Sequence, residues 1–312
     1  MYHCHCRVIR MTTVLRSLVI GAALLLGAVQ GATAQQLEPR AYSPAPVGVN
    51  IAGAAYYYSS GGWALDPSVP ITNVTARIHS VVPFYGRTFD LFGRLAQVGL
   101  AVPFAHADMH GDVQAQARSI DRTGFGDPAF RFSVNLIGMP ALKPKEFFGR
   151  KPETTLGASL VVVAPFGQYD QAKLINLGTN RWVFKPELGL SHPMGRWDLE
   201  LYAGAWLFTV NDEYYGGTVR RQDPLVYAQA HIVYTILPRM WLALDYTYYE
   251  GGTSRVNGQY KNDRQDNSRT GATLAVPVTQ LQSLKFTWAR GVTTRIGDSY
   301  DTLGVAWQYV WF

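Results

Sequence analysis

The sequence predicts an all-β protein: an antiparallel transmembrane β-barrel of about twelve strands. Three observations predict it. Hydropathy alternates with period two over segment after segment, the connections between segments are alternately short and long, and the composition is aromatic-rich and charge-poor. Of 312 residues, 47% are apolar, 13% aromatic and 16% charged. Soluble domains carry about 25% charged residues and disordered chains lack aromatics, so disorder is excluded and a typical cytosolic enzyme is disfavoured. The one long apolar run, 18–29, also excludes a bundle of transmembrane helices, each of which needs about 20 apolar residues.

That run (LVIGAALLLGAV) follows Arg7, Arg10 and Arg16 with no acidic residue and precedes Ala32, Thr33 and Ala34. A basic start, a short apolar stretch and small residues at a cleavage site are the features of a secretory signal peptide. The sequence therefore divides into a cleaved signal peptide (1–34), an extended N-terminal tail (35–47) and one barrel domain (48–312), exported to a Gram-negative type outer membrane. Cys4 and Cys6 both fall in the leader, so neither a disulfide nor a cysteine metal site is expected. Losing three arginines and no acid takes the net charge from +6 to +3, with 25 basic and 22 acidic residues left. With no basic block in the remainder, nucleic acid is not an expected partner.

In chain order the alternation marks strands at about 48–59, 73–84, 89–104, 127–137, 154–165, 181–191, 197–208, 225–236, 240–250, 268–277, 283–290 and 300–312. Segment 225–236 sets Val226, Ala228, Ala230, Ile232 and Tyr234 against Tyr227, Gln229, His231 and Thr235. Segment 127–137 sets Phe130, Phe132, Val134 and Leu136 against Arg131, Ser133 and Asn135. In 197–208, Asp198 and Glu200 share the face opposite Leu199, Leu201 and Leu207. A dry sandwich core makes two such carboxylates costly, so they need water or counter-charges. A soluble sandwich and a membrane barrel both have one apolar face, and connection length separates them. The gaps at 85–88, 192–196, 237–239 and 278–282 are short and the intervening ones mostly long, as in barrels with tight periplasmic turns and long outer loops. The gap 138–153 is long where a short one is expected. The last strand carries Leu303, Val305, Trp307, Tyr309 and Trp311 on one face and ends at Phe312, and aromatics recur at segment ends as interfacial girdles do.

Several phrases are more specific than pattern: GFGDPAFRFSVNLIGMPAL (124–142), APFGQYDQAKLINLGTNRWVFKPELGLSHPMGRWDLELYAGAW (164–206), RRQDPLVYAQAHIVY (220–234) and NSRTGATLAVPV (267–278). They resemble the family described as Putative MetA-pathway of phenol degradation, from about Gly48 to Trp311. The resemblance implies an outer-membrane barrel that acts as a transporter, and the family name implies a link to aromatic catabolism. The expected function is thus a channel passing small, aromatic solutes, with membrane lipid and such a solute as partners. A barrel enzyme of the phospholipase type and a closed structural or adhesion barrel are the alternatives.

The expected lumen lining is Arg77, His79, Arg131, Asn135, Lys185, Glu187, Asp198, Glu200, Gln229, His231, Asp245, Arg269 and Lys285, joined by Gln97, Ser133 and Thr287. Its mixed charge, with Tyr202, Trp206 and Tyr227 interspersed, suits small polar or aromatic solutes better than a strong ion selector. Lys185 and Glu187 are expected to pair across a hairpin with Asp198 and Glu200. Asp170, Asn176 and Asn180 with Gly167 and Gly178 suggest a loop folded over the barrel mouth. No cofactor is expected: 124–129 matches G-x-G-x-x-A, but a strand follows where a dinucleotide site needs a helix. His106, Asp108, His110 and Asp112 lie within seven residues of an expected loop, with no established ligand spacing, and are read as solvated rather than metal-binding. A catalytic site is not expected either, since His79, His192 and His231 find no outward serine partner among Ser133, Ser159 and Ser191, and no G-x-S-x-G elbow is present.

Overall fold

The computed structural model describes residues 37–64, 71–113, 116–147 and 150–312, so the expected leader lies outside the described residues. The strands are β1 (Asn50–Ala64), β2 (Ile71–Leu91), β3 (Arg94–Ala101), β4 (Phe104–Val113), β5 (Gln116–Phe125), β6 (Ala129–Ile137), β7 (Thr155–Val163), β8 (Val183–Met194) and β9 (Trp197–Phe208). They continue as β10 (Asn211–Tyr214), β11 (Thr218–Gln222), β12 (Leu225–Leu237), β13 (Met240–Gly251), β14 (Ser254–Val256), β15 (Gln259–Tyr260), β16 (Gln265–Pro277), β17 (Gln282–Thr293) and β18 (Gly297–Trp311). An α-helical turn, α1 (Pro144–Phe147), and a 3-10 turn at Tyr215–Gly217 interrupt them among the described residues.

Every pairing is antiparallel, and β1 bonds both β2 and β18, which closes the barrel. Two of its twelve staves are built in halves: β3 continues into β4 and β5 into β6. The breaks fall at Val102–Pro103 and at 126–128, where Pro103 and Pro128 lack the N–H that a ladder requires. The 21 residues of β2 bridge them, pairing with β3 on one side of the break and β4 on the other. β5 pairs with β4 alone; its other edge is met by the loop 164–182, where Gln168 N donates to Phe125 O (2.8 Å) and Arg122 Nε to Ile175 O (3.0 Å).

The two faces follow the alternation. Leu199, Leu201, Val226, Ile232, Leu242, Leu244, Val305 and Trp307 are exposed on the outer wall, while Arg131, Ser133, Lys185, Glu187, Gln229, His231 and Asp245 are buried inside. An apolar exterior around a polar lumen is the inverse of a soluble protein and places the wall in a bilayer. No described helix is long and apolar enough to cross a membrane, which leaves the strands to do so.

Boundaries shift in three places. The first tight turn lies at Phe92–Gly93, not 85–88, because those two residues take positive φ (51° and 80°) and Asp90 accepts from Gly93 N. The expected loop 105–126 is the β4–β5 hairpin. The long connection 138–153 is a cover at the short-turn end: Met139, Leu142 and Phe147 pack on Ala45, Val47 and Leu95, and Val47 N donates to Leu142 O (2.9 Å). Four short strands, β10, β11, β14 and β15, form a separate sheet at the long-loop end.

Candidate functional site

The chain before β1 does not lie outside the barrel. It enters the lumen from the short-turn end, and three alternate residues reach the wall. Glu38 meets Arg131 (2.6 Å) and Lys185 (3.7 Å). Arg40 meets Asp198 (2.8 Å), its backbone N donates to Glu200 (2.7 Å), and its guanidinium stacks on Trp241. Tyr42 donates to Glu187 (2.9 Å) and lies 2.9 Å from the Ser159 hydroxyl. Its ring fits a slot made by Gly157 and Gly189, which sit opposite each other on β7 and β8; a Cβ on either would overlap the ring.

The lumen charges pair through this segment. Glu187 accepts from Tyr227 (2.6 Å) and Tyr42 and lies near Lys185 (3.5 Å) and Arg131 (3.6 Å). Glu38 and Glu187 thus balance Arg131 and Lys185, which offsets the cost of removing four charges from bulk water. The expected hairpin pairing does not occur: the register places Glu187 opposite Gly204 and Glu200 opposite Ser191, so Asp198 takes its cation from the tail, and Glu200 accepts from the Arg40 backbone N–H and from Tyr202 (2.8 Å). Further round the wall, His231 Nδ1 lies 2.7 Å from Asp245, which also accepts from Thr273 (3.1 Å). Arg269 donates to Tyr300 O (2.9 Å), Lys285 stands over Trp241, and Asn135 and Gln229 are buried on the same inner face. Arg131, Asn135, Lys185, Glu187, Asp198, Glu200, Gln229, His231, Asp245, Arg269 and Lys285 therefore all face the lumen.

Arg77 and His79 do not. They occupy the outer face of β2 with Val81 and Tyr85, where His79 Nδ1 lies 2.7 Å from the Tyr56 hydroxyl. Between 78 and 85 apolar residues fall on both faces, so the alternation has no readable phase. β2 is also about twice as long as a bilayer requires, so its outer positions toward Ile71 need not be apolar.

A family profile, that of Putative MetA-pathway of phenol degradation, matches residues 66–309. The chain belongs to this family. The COG4313 outer membrane channel from Pseudomonas putida F1 has a similar fold, with a TM-score of 0.76 and 21% identity over 88% of this chain and 100% of that one. The β domain of the Bordetella autotransporter BrkA is a more distant likeness, with a TM-score of 0.51 and 10% identity over 84% of this chain and 100% of that one. No curated protein matches.

At the long-loop end the family phrase around Asp127 has a structural use. The Asp127 carboxylate is fully buried and accepts from Gly167 N (2.7 Å), Thr179 N (2.9 Å) and Thr179 Oγ1 (2.8 Å), which pins both arms of the loop 164–182. Asp170 and Asn176 close the loop on itself, with Ala172 N donating to Asp170 (2.9 Å) and Asn176 Nδ2 to Asp170 O (3.0 Å). On the outer wall, His106, Asp108, His110 and Asp112 lie on a strand rather than in a loop, and no group of three metal-binding side chains occurs among the described residues. His110 faces Ser119 across the β4–β5 ladder, and its side chain bonds Asp108 (3.3 Å).

The residues that sequence reasoning missed are Glu38, Arg40 and Tyr42. Their i, i+2, i+4 spacing and the inward glycines Gly157 and Gly189 are the signals that could have revealed them.

Proposed function

We propose that the protein is an outer-membrane channel for small, aromatic solutes, with residues 37–48 as a gate across its lumen. The observation that carries the reading is how that segment is held. From Leu37 to Ala45 it forms no backbone-to-backbone hydrogen bond with the wall among the described residues; side chains and the Arg40 and Ala41 N–H groups make its attachments. A strand locked in the sheet could leave only by breaking the barrel, whereas a segment held by side chains can withdraw and leave the wall closed. The wall it covers presents Tyr202, Trp206, Tyr227 and Trp241, whose ring faces suit an aromatic solute. The family's phenol-degradation description and the similar Pseudomonas putida F1 barrel, an outer membrane channel, support the same reading.

No residue is assigned a catalytic role. His192 points outward and lies 2.7 Å from Thr154 Oγ1, Ser191 points inward to Glu200 (3.4 Å), and the His110 side chain is bonded to Asp108 rather than Ser119.

Conductance of the refolded protein in planar bilayers, with phenol as a permeant, tests the proposal. Brief openings are expected for the intact chain and larger, persistent ones after deletion of 37–45. A correctly folded barrel that stays silent in both forms overturns it.

A further inference from the structure

Arg181 is a cation that the lumen network does not explain. It lies just before β8 at the long-loop end and is only 8% exposed, yet among the described residues it forms no salt bridge. Its Nη2 donates to the neutral Gln222 side chain (2.6 Å), its guanidinium lies 4.4 Å from the Phe208 ring centroid, and its Nη1 is buried with no partner. Asp127 makes no salt bridge to it and accepts instead from three donors of the 164–182 loop. A second cation, Arg220 on β11, forms no salt bridge among the described residues either and lies over Tyr214 (5.3 Å to the ring centroid). Burial first and Arg220 second hold the Arg181 guanidinium below its ordinary range, while Tyr214, Asp127 and Tyr169 oppose the shift.

A buried guanidinium beside a like charge and without a carboxylate is costly unless an anion arrives to complete it. Gln222, which accepts from Arg181 Nη2, lies two residues after Arg220 on β11, so both side chains fall on one face of that strand. Two arginines so placed offer planar, charge-assisted donors suited to a carboxylate, with the Phe208 ring against Arg181 and the Tyr214 ring against Arg220. We propose that Arg181 and Arg220 form a binding site for a small aromatic monocarboxylate at the outer mouth of the barrel. The site rests on the channel reading for its place in transport, because it stands where a solute would be captured before meeting the tail.

The test is calorimetric titration of the refolded, intact protein with sodium benzoate, phenol, cyclohexanecarboxylate and inorganic phosphate, alongside thermal unfolding. Saturable benzoate binding is expected, with each of the other three weaker. Arg181→Gln is expected to weaken benzoate about tenfold to a hundredfold, the range for losing a charged hydrogen-bond donor. The same variant without ligand should unfold at no lower temperature than the parent, since it sheds an uncompensated cation. A purely structural arginine would instead lower that temperature and leave benzoate affinity unchanged. Arg220→Gln, at a less buried position, should show the same loss of affinity. Absence of benzoate binding, or phosphate binding as tightly, overturns the site. The two readings fail separately: conductance without benzoate binding removes the site alone, and benzoate binding by a barrel that is silent with and without its tail removes the channel alone.

Discussion

Single side chains hold the tail in the lumen and the loop at the mouth. Gly189 has no Cβ because the Tyr42 ring occupies that space, and Gly157 completes the slot from the next strand. Gly189→Ala should therefore expel Tyr42 at a cost of about 1–3 kcal/mol, the range for overpacking. The barrel should still form, cleavage within 37–48 by added protease should quicken, and openings should lengthen. A tail as protected as in the parent would show that the slot does not hold it. At the mouth, Asp127→Asn converts one acceptor oxygen into a donor facing the N–H groups of Gly167 or Thr179. The expected destabilisation is about 1–3 kcal/mol, and limited proteolysis should move to 164–182 while the strands stay protected. Unchanged cleavage there would remove Asp127 as the anchor. These two sites were unequally legible. Asp127 sits in a motif that stands out in the sequence, whereas the role of Gly189 requires knowing that a residue about 150 positions earlier comes to lie on it.

At the level of elements, strand faces were easy to read and strand ends were not. The faces of β6, β9, β12 and β18 follow directly from alternation, since lipid on one side and water or ions on the other impose it at every second residue. In β2 the same rule fails around Arg77 and His79, because the strand rises beyond the apolar belt and nothing there penalises a polar outward side chain. The turn at Phe92–Gly93 was hidden for a related reason: the Gly86-containing stretch carries a stronger local turn signal, and only pairing with β3 extends β2 through it. The cover formed by α1 gives this level its own prediction. Phe147 is buried against Ala45, Leu95 and Met139, so Phe147→Ala should cost about 3–5 kcal/mol of local packing. Because Val47 bonds Leu142 in that cover, loosening it should speed hydrogen exchange at Val47 and Gly48 well before it affects β1. Equal acceleration in both would mean that the cover does not tether the tail.

For the whole molecule the distinction is between wall and contents. The wall is a closed sheet whose outer residues are a solvent match for lipid, and it makes a sharp claim about depth. Leu244 on β13 is 59% exposed and lies midway along its strand, so Leu244→Arg should cost about 2–4 kcal/mol in reversible folding into vesicles. Leu237, as exposed but at a short turn, should tolerate the same change at about 0–1 kcal/mol. Equal costs at the two sites would contradict the placement of the belt. By itself, the sequence determined the fold class, the number of staves and the family. All of these depend on alternation and motif, which are local properties of the chain. Only the tertiary structure decided that the tail lies in the lumen, that Glu38 and Arg40 rather than the neighbouring hairpin strands meet Arg131, Lys185 and Asp198, and that Arg181 forms no salt bridge among the described residues. Those outcomes depend on which residues far apart in the chain converge inside a closed barrel, and register, closure and the path of the entering segment set that convergence without leaving a periodic mark on the sequence.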